Sequence, residues 1–131
     1  NNIRKFKSNN LKFIKLDITK ESLPDSDLMI CRDCLIHLSF ESIRLFFENF
    51  RKSKINYLLL TTYKLKDKTK KLDNLDIPDG EYREIDLTRP PFLLPTPLHE
   101  ILDKDELNKN SGFNCYLNLY SKSQINDLKF K

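Results

Sequence analysis

The chain has 131 residues, of which 39% are hydrophobic and 32% are charged, and its formal net charge is +4. This length supports a single core, so we predict one domain over residues 1–131. No apolar run approaches the roughly 18 residues that a membrane span requires, and the mild, dispersed positive charge argues against nucleic-acid binding. An odd count of 3 cysteines argues against a secreted disulfide framework and favours the cytoplasm.

Two short apolar runs near the amino end predict strands. In the first run, "LKFIKLDI", apolar and lysine side chains alternate, which predicts a strand from Leu11 to Asp17. The second, Leu28–Cys31, has the length and composition of a strand buried on both faces. Arg32 and Asp33 follow directly, and because a buried strand cannot carry two charges, we expect the chain to leave the sheet there.

An amphipathic helix and a second apolar strand are predicted next. Ser39 is a suitable N-cap, and apolar side chains then recur at helical spacing. These core-facing residues are Phe40, Ile43, Phe47 and Phe50. The run Ile55–Tyr63 is too apolar for the edge of a sheet. In open α/β sheets ligands bind outside the carboxyl ends of the strands, where Arg32, Asp33 and His37 would lie.

The next part of the chain is rich in turn signals. Residues 64–74 are highly charged and predict a loop, and Gly80 supplies the positive φ of a Pro-Asp-Gly turn. Tyr82–Leu87 predicts a further strand. Four prolines hold residues 89–98 extended, and we expect the apolar side chains of this segment to cover a core or line a pocket.

The carboxyl-terminal part predicts a half-buried strand and a short helix. Residues 99–103 fit either a strand or a short helix, and Phe113–Tyr120 alternates apolar and polar side chains as a half-buried strand does. The last residues predict a helix that turns Ile125 and Leu128 inward. One helix between early strands and turns between later ones predict parallel pairing first and an antiparallel hairpin at the end.

Glycine and cysteine spacing limit the chemistry. Gly80 and Gly112 are the two glycines, and neither can form a glycine-rich phosphate-binding loop between a strand and a helix. Cys31 and Cys34 have the spacing of a redox pair, and with His37 they offer three ligands of a zinc site without a fourth. We predict no metal site.

Several motifs follow one another between Leu16 and Tyr120: "LDI", "DLMICRDCLIHLSF", "YLLLTTY", "NLDIPDGEYREIDLTRPPF", "LPTPLHEI" and "YLNLY". In this order they resemble the carboxyl-terminal half of a class I S-adenosylmethionine-dependent methyltransferase. They are most similar to a bacterial group of small methyltransferases of largely unassigned substrate. The resemblance implies an α/β, Rossmann-like sheet with a reversed last strand, present here as the carboxyl-terminal part of the domain.

The resemblance also assigns the cofactor-binding residues. Asp17 falls where the family has an acid that accepts a hydrogen bond from the adenine amino group, and Ile18 where a backbone amide meets the ring. Cys31, Arg32 and Asp33 fall on the loop that flanks the adenosyl and methionine parts of S-adenosylmethionine. The implied activity is methyl transfer to a small polar acceptor of unidentified structure.

The acceptor side of the implied site carries the catalytic candidates. His37 and Tyr63 fall there as catalytic residues, and Asn74 and Asp76 as substrate-binding residues. His37, with an unperturbed pKa of about 6.5, is the candidate base for an oxygen or nitrogen acceptor. A buried core histidine is the structural alternative for His37.

The chain departs from the family pattern at its amino end. The glycine-rich loop and the acid that binds the ribose hydroxyls should precede Asn1. In the family order their strands lie between the strand at Leu11–Asp17 and the one at Leu28–Cys31. We therefore expect a fragment of a longer polypeptide; the alternatives are a second chain that pairs along the sheet, or a sheet with a different strand order. The alternative function is a non-catalytic, truncated methyltransferase-like binding module.

Overall fold

The computed structural model describes residues 5–6, 8–71, 73–104 and 111–130. Over these ranges the chain forms an open, mixed α/β sheet of four strands. The elements are β1 (Leu28–Cys31), a 3-10 turn (Leu35–His37), α1 (Phe40–Lys52), β2 (Tyr57–Leu65), β3 (His99–Leu102), β4 (Phe113–Ser121) and α2 (Lys122–Asn126). Within the same ranges, no helix is both long enough and apolar enough to cross a membrane.

The strand order in the sheet is β1-β2-β4-β3. β1 pairs with β2 in parallel, whereas β4 runs antiparallel to both of its neighbours, β2 and β3. The last strand along the chain therefore lies inside the sheet and in the reversed direction. The predicted parallel pairing early in the chain and the antiparallel hairpin at its end are confirmed, as is the interior position of the run Ile55–Tyr63, which forms β2.

Helix α1 begins at the predicted N-cap and supplies much of the core. The Ser39 hydroxyl accepts a hydrogen bond from the Ser42 amide at 3.1 Å, which satisfies one of the free amides of the first turn. Four α1 side chains are fully buried: Ile43, Phe46, Phe47 and Phe50. They pack in one cluster with Cys31, Leu58 and Leu60, which share one face of the sheet.

The short helix α2 is hydrogen-bonded to the carboxyl end of α1. The Lys122 ammonium donates to the carbonyl oxygens of Phe50 and Ser53, and Arg51 Nε donates to the Ile125 carbonyl at 3.0 Å. The Phe50 and Ile125 carbonyls also accept from backbone amides, and the two cations add to these hydrogen bonds where positive charge favours a helix end. Ile125 and Leu128 are buried, so the predicted inward orientation of both residues is confirmed.

The other face of the sheet, which we call the open face, exposes apolar side chains: Leu28, Ile30, Tyr57 and Ile101. Leu28 is 42% exposed and Ile30 is 61% exposed. The prediction that β1 (Leu28–Cys31) is buried on both faces is therefore wrong. β1 is the outermost strand of the described sheet, and the cluster containing α1 packs on the face of Cys31 only.

The first predicted strand is not formed. Leu11 makes an isolated bridge with Ser8, and residues 12–16 have no regular secondary structure. Leu11, Phe13 and Ile14 remain exposed. An alternating pattern becomes a strand only when a neighbouring strand accepts its backbone hydrogen bonds, and the segment pairs with none in the described sheet.

Tyr82–Leu87 was predicted as a strand but is irregular. It nevertheless runs beside the carboxyl half of β2, where the Tyr63 amide donates to the Ile85 carbonyl at 2.8 Å and the Leu87 amide donates to Thr62 Oγ1 at 3.0 Å. A side chain thus takes the place of a backbone partner, which interrupts the ladder. The proline-rich segment buries Phe92 and Leu94, as expected.

Candidate functional site

Two strands, β1 and β3, end at one edge of the sheet beside Thr61 in the middle of β2, and we call this edge the carboxyl rim (Cys31–Cys34, Thr61 and Asp103). β1 and β2 are parallel, and β3 has the same direction as β2 because both pair antiparallel with β4. Residues that follow β1 and β3 are therefore brought to the same edge. Polar side chains from separate parts of the chain meet there.

Arg32 joins the ends of β1 and β3. Its Nε and Nη2 lie 3.0 and 2.9 Å from Asp103 Oδ2, and its Nη1 lies 3.7 Å from Asp33 Oδ2. The Arg32 side chain keeps 47% of its surface exposed, so the pair contributes little stability. Its main effect is to hold one guanidinium between two carboxylates at the rim.

Asp33 adopts a backbone conformation that few residues other than glycine adopt. Its φ is +51°, in the left-handed region, which aspartate tolerates better than most residues. Thr61 of β2 holds this turn in place, since its hydroxyl accepts from the Asp33 amide at 2.9 Å and donates to Asp33 Oδ1 at 3.5 Å. The Asp33 carboxylate is thereby fixed, and the residue stays exposed.

Cys31 and Cys34 form a hydrogen-bonded thiol pair beside this turn. Cys31 is buried and Cys34 is partly exposed. The hydrogen bond with Cys31 lowers the pKa of Cys34 to about 7, against desolvation and with help from the nearby His37. The same hydrogen bond, together with burial, raises the pKa of Cys31 well above its usual range. Cys34 is therefore the reactive thiol of the pair.

His37 lies in the 3-10 turn that follows and is exposed, so the alternative of a buried core histidine is wrong. Its Nδ1 is 2.8 Å from the Glu81 carbonyl oxygen, and because a carbonyl can only accept, Nδ1 carries the proton. In the neutral imidazole this leaves the lone pair on Nε2. The His37 ring also packs against Tyr82, with centroids 5.7 Å apart.

Tyr63 is only 4% exposed, and its ring edge packs on Phe113 with centroids 6.5 Å apart. Its hydroxyl hydrogen-bonds with the side chains of Tyr82 and Cys115. Tyr82, which contacts both His37 and Tyr63, links the two residues that were predicted to be catalytic.

Asn74 and Asp76 each bind backbone groups. The Asn74 amide donates to the carbonyls of Asp86 and Pro90, both at 2.8 Å, and its oxygen accepts from the Asp86 amide. Asp76 Oδ1 accepts from the Phe40 amide at 2.7 Å. Both side chains therefore position loops around the start of α1, and their predicted contact with substrate stays a prediction.

Asp17 begins a turn and does not end a strand. Its Oδ1 accepts from the amide and hydroxyl of Thr19, which lowers the pKa of Asp17, and Lys20 lies 3.6 Å from Oδ2. The Ile18 carbonyl accepts from the Asn49 side chain of α1 at 2.8 Å. Arg32 and Asp33 thus lie in one turn region with Cys34 and His37. Asp17 and Ile18 contact other residues, namely Thr19, Lys20 and Asn49.

No family model, curated protein or solved structure matches this chain. Over residues 5–6, 8–71, 73–104 and 111–130, no group of three or more His, Cys, Asp or Glu side chains could hold a metal ion.

Sequence reasoning missed three residues of the candidate site: Thr61 and Asp103 at the carboxyl rim, and Tyr82 beside His37. A signal existed for Thr61, because two threonines interrupt the apolar run Ile55–Tyr63 directly after its leucines, and polar side chains within an apolar strand need a hydrogen-bond partner. Asp103 directly follows β3, but its segment fitted both a strand and a helix. Nothing in the pattern around Tyr82 indicates that it stacks on His37.

Proposed function

We propose that this chain is the carboxyl-terminal part of a Rossmann-like, S-adenosylmethionine-dependent methyltransferase that methylates a small polar acceptor. The observation that carries the proposal is the sheet order β1-β2-β4-β3, in which the last strand is reversed. The motifs of the sequence imply a reversed last strand independently of the coordinates. Agreement between the two supports the proposed family.

The groups at the carboxyl rim fit one flank of such a cofactor. S-adenosylmethionine supplies a methyl group on a cationic sulfonium, and it carries ammonium, carboxylate and hydroxyl groups. Asp33 offers an exposed carboxylate to the cationic groups, and Arg32 offers an exposed guanidinium to an anionic one. Asp17 and Ile18 are proposed for the adenine side, where the Asp17 carboxylate is exposed and can accept further hydrogen bonds.

The remaining part of the proposed site requires further strands. Neither Gly80 nor Gly112 lies at the carboxyl rim. The described residues therefore supply no glycine-rich loop for the cofactor. The outer edge of β1 and the exposed side chains of Leu28 and Ile30 support pairing with an additional strand there. We propose that this strand comes from another segment or from a second chain.

His37 is the proposed general base. The hydrogen bond from Nδ1 to the Glu81 carbonyl orients the ring and leaves Nε2 to accept a proton from an acceptor hydroxyl or amine. Tyr82 packs against the His37 ring, and the buried Tyr63 lies behind Tyr82. Asn74 and Asp76 fix the neighbouring loops and so help to align the acceptor, which is the main requirement of an in-line displacement.

Calorimetry of the cofactor product tests this proposal. S-adenosylhomocysteine is titrated into the protein translated from the complete reading frame, with circular dichroism confirming that the sample is folded. We expect micromolar binding that Asp33→Asn weakens about tenfold, equivalent to about 1.4 kcal/mol. Asp25→Asn is the matched control, since Asp25 is exposed and pairs only weakly, at 3.4 Å, with Lys54.

The second candidate is a non-catalytic, methyltransferase-like binding module. The position of β1 at the edge of the described sheet and its exposed apolar side chains favour it, because the outer edge of an edge strand can add a strand from a partner. A folded sample that releases or absorbs no heat with S-adenosylhomocysteine would contradict the methyltransferase and leave this module.

A further inference from the structure

A groove of about 260 Å³ lies beside the carboxyl end of β2, and cationic side chains dominate its lining. We call it the cationic groove. Its charged side chains are Lys64, Lys66, Lys68, Lys70 and Arg89, against the two carboxylates of Asp67 and Asp86. Thr88, Asn114 and Tyr116 add polar groups to the walls. Three separate parts of the chain thus supply one basic concave surface.

Both carboxylates of the groove are already hydrogen-bonded within their own turns. Asp67 accepts from the amide and hydroxyl of Thr69, and Asp86 accepts from the amide and hydroxyl of Thr88. The ion pair of Asp67 with Lys70 is long, at 3.9 Å. Five cations thus line the groove with two carboxylates, and a further carboxylate, Glu100, pairs with Lys64, so a net positive charge remains.

The two lysines nearest the sheet are held in place. Lys64 pairs with Glu100 and lies over the Tyr116 ring, with Nζ 5.1 Å from the centroid. Lys66 donates to the Ser111 carbonyl at 2.7 Å. These contacts fix the direction of both side chains along the wall. Because these contacts already restrict both side chains, a ligand that binds to them costs little additional side-chain entropy.

Arg89 gives the strongest indication of a ligand. Its Nε is withdrawn from solvent and has no hydrogen-bond acceptor among the described residues. A guanidinium cannot lose its proton to escape this situation, and buried donors in proteins are almost always paired. Arg89 lines the groove and is only partly buried, so an anion seated there can pair with its guanidinium, which phosphate matches in bidentate geometry.

We propose that the cationic groove binds the phosphate of a small phosphorylated ligand. A second groove of about 400 Å³ shares Lys64 and Thr88 with it and is lined by Leu94, Pro95 and Pro97. This neighbour accommodates the carbon skeleton of the ligand, while the lysines and Arg89 hold the phosphate. The site does not depend on the proposed methyl transfer, and its test uses no cofactor.

Calorimetry with ribose 5-phosphate and with ribose, at low ionic strength, tests the site. We expect ribose 5-phosphate to bind and ribose not to bind, with affinity falling as salt is added. Arg89→Gln and Lys68→Gln should each weaken binding at least fivefold. Lys54→Gln removes one exposed lysine that does not line the groove and that pairs with Asp25, and it should leave binding unchanged.

Three results would overturn the proposal. They are the absence of ribose 5-phosphate binding by folded protein, equal weakening by Lys54→Gln and Lys68→Gln, and retained binding in a folded Arg89→Gln variant. A single-stranded oligonucleotide that binds more tightly than ribose 5-phosphate, with the same sensitivity at Arg89, would instead indicate a nucleic-acid surface. Because no arm contains S-adenosylhomocysteine, these results are independent of the methyltransferase titration.

Discussion

Cys34 is the side chain at the carboxyl rim whose reactivity its neighbours change most clearly. The Cys31 hydrogen bond lowers its pKa from 9.0 to about 7, so the thiolate fraction rises through pH 7. We expect its rate of alkylation by iodoacetamide, followed by mass spectrometry, to rise through the same range. Cys31→Ala should move that rise toward pH 9.

Cys115 provides an internal control for this measurement. It is buried, and burial raises the pKa of its thiol, so it should stay unmodified in the folded protein. Equal alkylation of Cys34 and Cys115, or a rise for Cys34 only near pH 9, would contradict the hydrogen-bonded pair.

Substitution of His37, the proposed general base, should affect methyl transfer without affecting cofactor binding. His37→Asn keeps a donor for the Glu81 carbonyl but removes the Nε2 base. We expect methyl incorporation from labelled S-adenosylmethionine into small polar metabolites to fall about 100-fold or more, with cofactor affinity unchanged. His99→Asn, at an exposed position on β3, is the control and should stay active. Unchanged turnover in the His37→Asn variant would contradict the proposed role of His37 as the general base.

Arg83 holds together the turn that carries His37. Its guanidinium donates to the carbonyls of Leu75, Ile36 and Leu38 at 2.9, 2.9 and 2.7 Å. Arg83→Met leaves the Leu75 and Leu38 carbonyls without this partner, while Ile36 keeps the backbone amide of residue 83, and we expect the free energy of unfolding to fall by about 3 kcal/mol in urea titrations.

Arg44→Met is the matched control for Arg83. Arg44 pairs with Glu41 and Glu48 on the exposed side of α1, so its loss should cost less than about 1 kcal/mol. Equal destabilisation by the two substitutions would contradict the structural role of Arg83.

At the scale of elements, the start of α1 depends on a loop that is distant in sequence. Asp79 accepts from the Ser39 amide and the Ser42 hydroxyl, both at 2.7 Å, and the Ser39 hydrogen bond lowers its pKa below 3.8. A lowered carboxyl pKa gives stability that is present above the unfolded value and is lost as pH falls through the folded value.

Asp79→Asn should therefore reduce the free energy of unfolding at pH 7 and have little effect near pH 2. Urea titrations at the two pH values measure the difference, and Asp25→Asn serves as the control. The same loss at both pH values would show that the carboxylate charge does not cap α1.

The elements that were predicted correctly are those whose signal is local. The apolar spacing and Ser39 cap of α1, and the composition of β1, β2 and β4, depend on neighbours within each segment. Leu11–Asp17 failed because a strand also needs a partner strand. Leu28 and Ile30 are exposed because burial depends on which faces of the sheet are covered.

The candidate site was predictable to the same extent. The charges of Arg32 and Asp33 after an apolar run indicate a strand end, and the structure confirms that the chain leaves the sheet there. The partners Thr61 and Asp103 come from 28 and 71 residues away. Such contacts depend on strand order and register, which a pattern within one segment does not contain.

At the scale of the whole molecule, the sheet has one covered face and one open face, and its β1 edge is exposed. At the carboxyl rim the ends of β1 and β3 lie beside Thr61 of β2, and we propose that this rim binds a nucleoside cofactor. Phosphate recognition at the cationic groove would be a separate property of the same fold.

Hydrogen–deuterium exchange with saturating S-adenosylhomocysteine tests the central claim most directly, because it locates the ligand on the fold. The account expects slower exchange at the amides of residues 31–37, with α2 unchanged. Unaltered exchange at residues 31–37 under saturation, or protection confined to α2, would contradict it.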